Sequence, residues 1–322
     1  MLYEDKVYGK AEILHPVIAE LINSQALQRL KRINQYGPLY LRDRKLDTTR
    51  FEHSVGCAIL LQRFSAPVEA QAAGLLHDVS HGAFSHLVDY IFDNHKAQDW
   101  HDKIFEKVVL NSDVPAILKK HGLDADFVCD KDMWRIATQA LPDLSADKID
   151  YGLRDSVLCG FIKKEDASYL LDNLTIEHGE WCFTTVMAAR MFAMTFNNTC
   201  EKLWTDPFWT TFMQKFAEII KAALKSGTLA SEDLHLTDDA VLQKLMQDPP
   251  SASAIEKLML MDIEESDSDW DIHVTNKARI CNPKIISGGH FIRLSEVDDD
   301  FKEKLDYLKY KIESGYFVKI LN

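Results

Sequence analysis

The apolar positions of this chain recur mostly at helical spacing. Ile18, Leu21, Ile22, Leu27, Leu30 and Ile33 follow one another at threes, fours and fives, as one buried face of a helix or broken helix pair would over 18–36. Residues 38–48 break that pattern and read as a loop. Thr49 and Glu52 then have capping-box spacing, and Val55, Ala58, Ile59, Leu61 and Phe64 follow, so 50–64 reads as a helix. A second helix is expected from Pro67 to about His81, stopping near Gly82, with further helical segments at 102–120, 132–141, 145–158 and 165–173.

The texture changes around His178-Gly179, where alternating residues predict a short β-hairpin near 174–184. Residues 185–225 read as helical again. Leu242–Met246 and Ile255–Met261 read as shorter helices, with a turn at Pro249 and Pro250 between them. The acidic run 262–271 (DIEESDSDWD) reads as an exposed loop. HFIRL (290–294) and GYFVKIL (315–321) read as strands flanking a helix over 298–313. No internal repeat or low-complexity tract is present. The expected architecture is mainly α, with a helical domain over 1–225 and a smaller α/β lobe over 226–322 packed on it.

Composition narrows the partners. With 322 residues, 46% of them hydrophobic and 10% aromatic, the chain is long and apolar enough to fold around a sizeable core. Fifty acidic against 37 basic side chains leave a net charge of -13, which repels nucleic acid and anionic membranes, so neither is the expected partner. The first ten residues, MLYEDKVYGK, carry charges where a secretory signal needs an apolar stretch, and a cytoplasmic location is expected. Six scattered cysteines without a CxxC pair read as reduced thiols packed in the core.

Histidine placement points to chemistry. Six of the twelve (His53, His77, His81, His86, His95 and His101) fall within 49 residues, where random scatter would put about two. A buried imidazole must satisfy two ring nitrogens, so a cluster asks for a ligand or a proton to carry. GLLHDVSHGAFSH (74–86) is the sharpest element: His77 and Asp78 are adjacent, and His81 is expected one helical turn on, on the face of His77. An isolated His-Asp pair is common by chance, but here the surrounding residues are apolar enough to bury it. His53 opens an amphipathic helix in RFEHSVG, and Asp147 starts another in SADKIDYGLRD. Two imidazoles and two carboxylates suit one divalent manganese, iron, cobalt, nickel or zinc ion, with positions left open for water and a substrate oxygen.

His53, the His77-Asp78 pair and Asp147 follow the H...HD...D pattern of the HD-domain phosphohydrolases. LQRLKRINQYG, RFEHSVG, AGLLHDVSHGAFSH, WHD and DKIDYGLRD resemble one branch of them, the deoxynucleoside triphosphate triphosphohydrolases that include the sterile-alpha-motif/HD protein of animals. The likeness runs from about residue 8 to 175 and thereafter only in KARICNP and RLSE. It implies an HD-domain helical fold and a metal held by His53, His77, Asp78 and Asp147. It implies that His86 and His101 place the nucleophile and protonate the leaving oxygen, that Asp102 orients His101, and that His81 donates to phosphate. Arg50 and Lys148 would add fixed positive charge at the phosphate, and Gln35, Tyr151 and Asp155 would meet the sugar and phosphates. Magnesium could accompany the substrate phosphates.

The chain departs from the branch after 185. Where the triphosphohydrolases carry a His-Thr-Arg-Tyr run, it has RMFAMTFNNTC (190–200), in which only Arg190 offers a charge. Three readings remain open besides dNTP triphosphohydrolase. One is a nucleoside 5′-monophosphatase or other phosphomonoesterase on the same metal. The second is a two-iron oxygenase using His81, His86 and His101, and the third a silent nucleotide-binding regulator. A nucleotide is the expected small-molecule partner, and a homo-oligomer is left open.

Overall fold

A computed structural model describes residues 1–130 and 132–321. The chain opens with an antiparallel hairpin, β1 (Leu2–Asp5) and β2 (Gly9–Glu12), and enters a helical body: α1 (Pro16–Ile22), α2 (Gln25–Arg29), α3 (Arg50–Arg63), α4 (Val68–Leu76), α5 (Leu87–Ile91), α6 (Trp100–Leu110), α7 (Val114–Lys120), α8 (Ala125–Cys129), α9 (Ala146–Leu158) and α10 (Lys164–Asp172). The hairpin β3 (Leu174–Glu177) and β4 (Glu180–Phe183) leads to α11 (Val186–Thr199), a π-helical turn at Cys200–Trp204, α12 (Pro207–Ser226), α13 (Asp238–Gln247) and α14 (Pro249–Leu258). The chain ends with β5 (Asp262–Glu265), β6 (Ile272–Val274), β7 (Lys284–Ser287), β8 (His290–Arg293), α15 (Leu294–Val297), α16 (Asp299–Ser314) and β9 (Tyr316–Leu321). The fold is mainly α with small sheets, as the patterning predicts.

Local chemistry accounts for the best-defined helices. Thr49 and Glu52 form the expected capping box on α3, which satisfies two backbone donors at its start. Prolines at the first turn of α12 and α14 remove donors that would have had no partner there, so Pro249 and Pro250 start a helix as well as mark a turn. His178 and Gly179, at φ of 49° and 75°, make the tight β3–β4 turn.

Three expectations are corrected. The 67–81 helix ends at Leu76, because Arg29 draws the carbonyls of Val79 and His81 out to its guanidinium at 2.9 and 2.6 Å and the chain unwinds into turns. His81 therefore does not sit one helical turn above His77. Residues 132–141 form turns and no helix, since the carbonyls of Ile136 and Ala137 accept from the Ala146 and Asp147 amides that open α9. Part of the acidic 262–271 run is the strand β5, which gains backbone partners along β9. The two expected strands at 290–294 and 315–321 form on either side of α16; β8 ends the sheet ordered β3-β4-β7-β8, and β9 lies between β5 and β6.

β4 and β7 pair in parallel, so strands from before and after residue 225 belong to one sheet. Two apolar cores fill the interior. One is built on α1, α3, α4, α9 and α11, with Leu21, Leu60, Leu75, Leu153 and Phe196 fully enclosed, and the other on α5, α12, α13 and α14 around Leu87, Phe212, Phe216 and Val241. A cavity of about 880 Å³ lies where they meet, lined by Tyr151 of the first core and Tyr36, Leu39 and Met213 of the second.

One close approach holds the HGAFSH segment beside that cavity. The Ala83 amide donates to Leu234 O at 2.9 Å, and a Cβ on Gly82 would lie 2.2 Å from the same oxygen. Phe84 and Ser85 are in the left-handed region at φ of 60° and 54°, a strain that Asp238 offsets by accepting from the Phe84 amide. Gly82→Ala is expected to lower unfolding free energy by about 1–3 kcal/mol in chemical denaturation, the range for overpacking against a fixed neighbour.

Candidate metal centre

Three elements bring the central residues together: α3 carries His53, the end of α4 carries His77 and Asp78, and the first turn of α9 carries Asp147. His53 Nε2 lies 3.2 Å from His77 Nε2 and 3.2 Å from Asp147 Oδ1. His77 Nε2 lies 3.3 Å from Asp78 Oδ1 and 3.6 Å from Asp147 Oδ1. The other ring nitrogens set the tautomers. His53 Nδ1 donates to Asp150 Oδ2 at 2.8 Å and His77 Nδ1 to Gly74 O at 2.7 Å, so both Nε2 atoms are turned toward one point.

Both carboxylates facing that point are ionised. Burial opposes their charge, but the Arg50 guanidinium, 2.9 Å from Asp78, and the Lys148 ammonium beside Asp147 hold each well below the usual carboxylate range. Two ring nitrogens and two carboxylates this close call for positive charge among them; although burial opposes it, Cys57 and the hydrogen bonds to Asp147 and Asp150 hold His53 well above the usual histidine range, so a proton stands there until a metal ion displaces it. The donor set is that of a divalent ion bound by nitrogen and oxygen, so the residues fit the metal that their pattern implies. Cys57 Sγ lies 3.9 Å from both His53 nitrogens, but burial pushes its thiol up to about 12, and it packs as a neutral group.

A buried ion pair supports this arrangement from behind. Arg154 donates twice to Asp150, at 2.9 Å each, and once to Asp5 of β1 at 3.0 Å. Despite burial, Arg154 and His53 hold the Asp150 carboxyl below its usual range. Gly56, one turn after His53, leaves the space that this pair occupies: a Cβ there would lie 2.1 Å from Asp150 Oδ1 and 2.2 Å from an Arg154 nitrogen.

Beside the centre, the His81 and His101 rings stack with centroids 4.0 Å apart, and His86 stands edge-on to both. His81 Nε2 is 3.3 Å from Asp78 Oδ1, and His86 Nδ1 is 3.2 Å from the buried Asp89. Asp102 Oδ1 lies 3.4 Å from His101 Nε2. Burial first, then the Arg50 charge, holds His81 and His86 well below the usual histidine range. Burial and the neighbouring His86 push His101 down to about 3. All three rings are therefore neutral in the ligand-free protein.

The cavity wall carries Gln35, Arg50, His77, Asp78, His81, His86, His101, Asp102, Asp147, Lys148, Tyr151 and Asp155; His53 lies behind it. Arg50 is not a surface residue: it is 5% exposed and bonds Ser85 as well as Asp78. Asp155 does not pair with Arg154. It accepts from Tyr36 Oη and Trp204 Nε1, both at 2.7 Å, and burial without a cation pushes it up to about 6. Arg190 stays away from the cavity, bound to Asp298 and Asp300. His95 stacks on Tyr90 and bonds Thr275, apart from the other clustered histidines.

Several neighbours were not singled out from the sequence. Asp150 had a signal, three residues after Asp147 in DKIDYGLRD. Lys277 and Arg279 had a weaker one in KARICNP, whereas Tyr36, Asp89, Gln98 and Trp204 come to the cavity only through folding.

The HD domain family model matches residues 50–138, which contain His53, His77, Asp78 and the clustered His81, His86 and His101. An uncharacterised protein of Bacillus subtilis, YdhJ, is 34% identical over all of this chain and 99% of its own length. The metal-dependent phosphohydrolase cns2 of Cordyceps militaris is 28% identical over 83% of this chain and 80% of its own. The chain belongs to the HD-domain phosphohydrolases. Among solved structures, a phosphohydrolase of Bacteroides thetaiotaomicron shares the fold with a TM-score of 0.75 at 17% identity, over 99% of each chain. The zebrafish deoxynucleoside triphosphate triphosphohydrolase SAMHD1 is 31% identical over a shorter stretch, 38% of this chain and 23% of its own. No helix among the described residues of this HD-domain protein is long and apolar enough to cross a membrane.

Two outcomes follow. Gly56→Ala is expected to displace Asp150 and loosen His53, lowering metal affinity about 10- to 100-fold by competition with a chelator and destabilising the fold by about 3–5 kcal/mol. Asp155 has a folded pKa of about 6, above the value near 4 of an unfolded aspartate. Its contribution to stability is therefore present below about pH 4 and lost as pH rises through 6. Asp155→Asn cannot ionise, so its stability relative to the parent should rise by about 3 kcal/mol between pH 4 and 7.5 in paired melts. A difference that stays flat with pH would show that Asp155 is not buried as a carboxylate.

Proposed function

We propose that the chain hydrolyses deoxynucleotides with one divalent ion held by His53, His77, Asp78 and Asp147, in the favoured form converting a dNTP to deoxynucleoside and triphosphate. The observation that carries this reading is the pair of imidazole nitrogens 3.2 Å apart, ringed by two ionised carboxylates on the wall of a cavity large enough for a nucleotide. When bound, the ion would polarise a phosphoryl oxygen and lower the pKa of a coordinated water. The motif likeness to the triphosphohydrolases supports the substrate class.

The remaining roles belong to the side chains. Arg50 and Lys148 orient Asp78 and Asp147 and leave positive charge facing the phosphate. His81, His86 and His101 are neutral because of burial and neighbouring positive charge, and a bound phosphate anion opposes the second of these. Substrate binding thus favours the imidazolium that can give its proton to the 5′-oxygen as the bond from phosphorus to that oxygen breaks. Asp102 and Asp89 steady His101 and His86. Gln35, Tyr151 and Asp155, with Tyr36 and Trp204 bonded to Asp155, form the wall suited to a sugar with free hydroxyls.

One observation favours a nucleoside monophosphate or another phosphomonoester instead. Ala193 and Phe196 of α11 are buried in the core and Arg190 is bonded elsewhere, so α11 brings no cation to the cavity. Purified protein incubated with manganese and each dNTP and dNMP decides between them, with products resolved chromatographically. Triphosphate marks attack at the α-phosphorus, orthophosphate from a monophosphate marks the second reading, and no turnover of any nucleotide with metal bound removes both. His101→Ala is expected to lower kcat by about 10² to 10⁴. One metal per chain is the expected stoichiometry; two irons with oxygen consumption would assign oxygenase chemistry to the same rings.

A further inference from the structure

The cavity holds a second group of charges that neither the metal ligands nor the three histidines use. It comes from the irregular segment 275–283 (TNKARICNP) between β6 and β7, which contributes Asn276, Lys277, Ala278 and Arg279 to the wall. Lys277 Nζ donates to Ala97 O at 2.8 Å, and the Arg279 guanidinium donates to Gln98 Oε1. Gln98 is 4% exposed and held in the left-handed region at φ 55°. Its Nε2 donates to Asn276 Oδ1 at 3.1 Å, and Asn276 Nδ2 donates to Trp204 O at 2.8 Å. The segment is thus tied by side chains to both sides of the cavity, and Arg279 is aimed by a buried partner.

These two cations differ from the two beside the metal centre. Arg50 pairs with Asp78 and Lys148 with Asp147, whereas neither Lys277 nor Arg279 has a carboxylate at ion-pair distance among the described residues. In a chain of net charge -13, two neighbouring cations without an acidic partner are out of keeping with the whole. Burial and the Arg279 charge hold the Lys277 amine below the usual lysine range, so the two cations crowd each other. The Arg279 charge is also felt at His86 and at Tyr90. Tyr90 is 5% exposed, lines the same cavity, and its hydroxyl has no hydrogen-bond partner. A buried donor without an acceptor, on the same wall as these cations and within the field of Arg279, is the complement of an anion.

We propose that Lys277, Arg279 and the Tyr90 hydroxyl form an anion subsite for the phosphates of the substrate that are not at the metal, so that segment 275–283 reads the length of the phosphate tail. This rests on the reading of the centre as a phosphohydrolase site and deepens it toward nucleoside di- and triphosphates. The bidentate fork of Arg279 suits a bridging or terminal phosphate, while Lys277 adds a point charge.

Inorganic tripolyphosphate and orthophosphate, titrated calorimetrically into the metal-loaded full chain, test the subsite without turnover. The parent protein should bind tripolyphosphate more tightly than orthophosphate. In Lys277→Gln/Arg279→Gln that ratio of Kd values should fall on the order of 10- to 100-fold, with Arg279→Lys intermediate. Steady-state kinetics of the same variants should show the loss in KM for a dNTP more than in kcat. An unchanged ratio in a folded double variant, or a parent without preference for tripolyphosphate, overturns the subsite. If the parent hydrolyses no phosphate ester yet shows the ratio and its loss, the hydrolase reading fails and the anion subsite stands.

Discussion

The structure depends on a convergence of ligating groups that it is built to maintain. Two imidazole nitrogens face each other at 3.2 Å toward a common point, because Asp150 and Gly74 accept hydrogen bonds from the opposite nitrogen of each ring. Asp78 and Asp147 add negative charge to that point, which Arg50 and Lys148 balance only in part. A fold pays for such a focus by making its surroundings stiff. Here α3 is buried along most of its length and packs on both α4 and α9, the elements that carry the other groups.

That stiffness reaches the first residues of the chain. Asp5 accepts from the Val7 and Tyr8 amides and from Arg154, and Arg154 in turn braces Asp150 behind His53. The N-terminal hairpin is thereby part of the support of the centre, although it contributes nothing to the cavity wall. Breaking one partner of such a buried pair leaves an uncompensated charge, which is why the glycine at 56 matters as much as the charges it makes room for.

Charge balance also reads differently at two scales. The chain as a whole is acidic, a property that bears on solubility and long-range steering. Inside the cavity, Arg50, Lys148, Lys277 and Arg279 surround three histidines that burial keeps neutral. The same desolvation that discharges those rings pushes Asp155 up toward neutrality elsewhere on the wall. The cavity thus offers cations for an anion and also a hydrogen-bonding group of little charge.

Much of this was legible in the residues. The capping box at Thr49 and Glu52, the helices 50–63 and 146–158, the hairpin at His178-Gly179 and the convergence of His53, His77, Asp78 and Asp147 follow from short-range spacing and from motifs whose chemistry is local. What spacing could not supply was every feature set by a partner distant in the chain. Arg29 unwinds the segment before His81, the opening of α9 claims the carbonyls of 132–141, and β9 turns an acidic run into a strand. Arg190, the one charge on its helix, is taken by Asp298 and Asp300, while Lys277 and Arg279 arrive at the cavity from a loop without periodicity. The sequence by itself determined which chemistry the chain carries, because metal-ligating side chains are recognisable by type and local spacing. Only the tertiary structure decided which charges remain unpaired and which rings are neutral, because both depend on burial and on neighbours that folding, not local spacing, brings alongside.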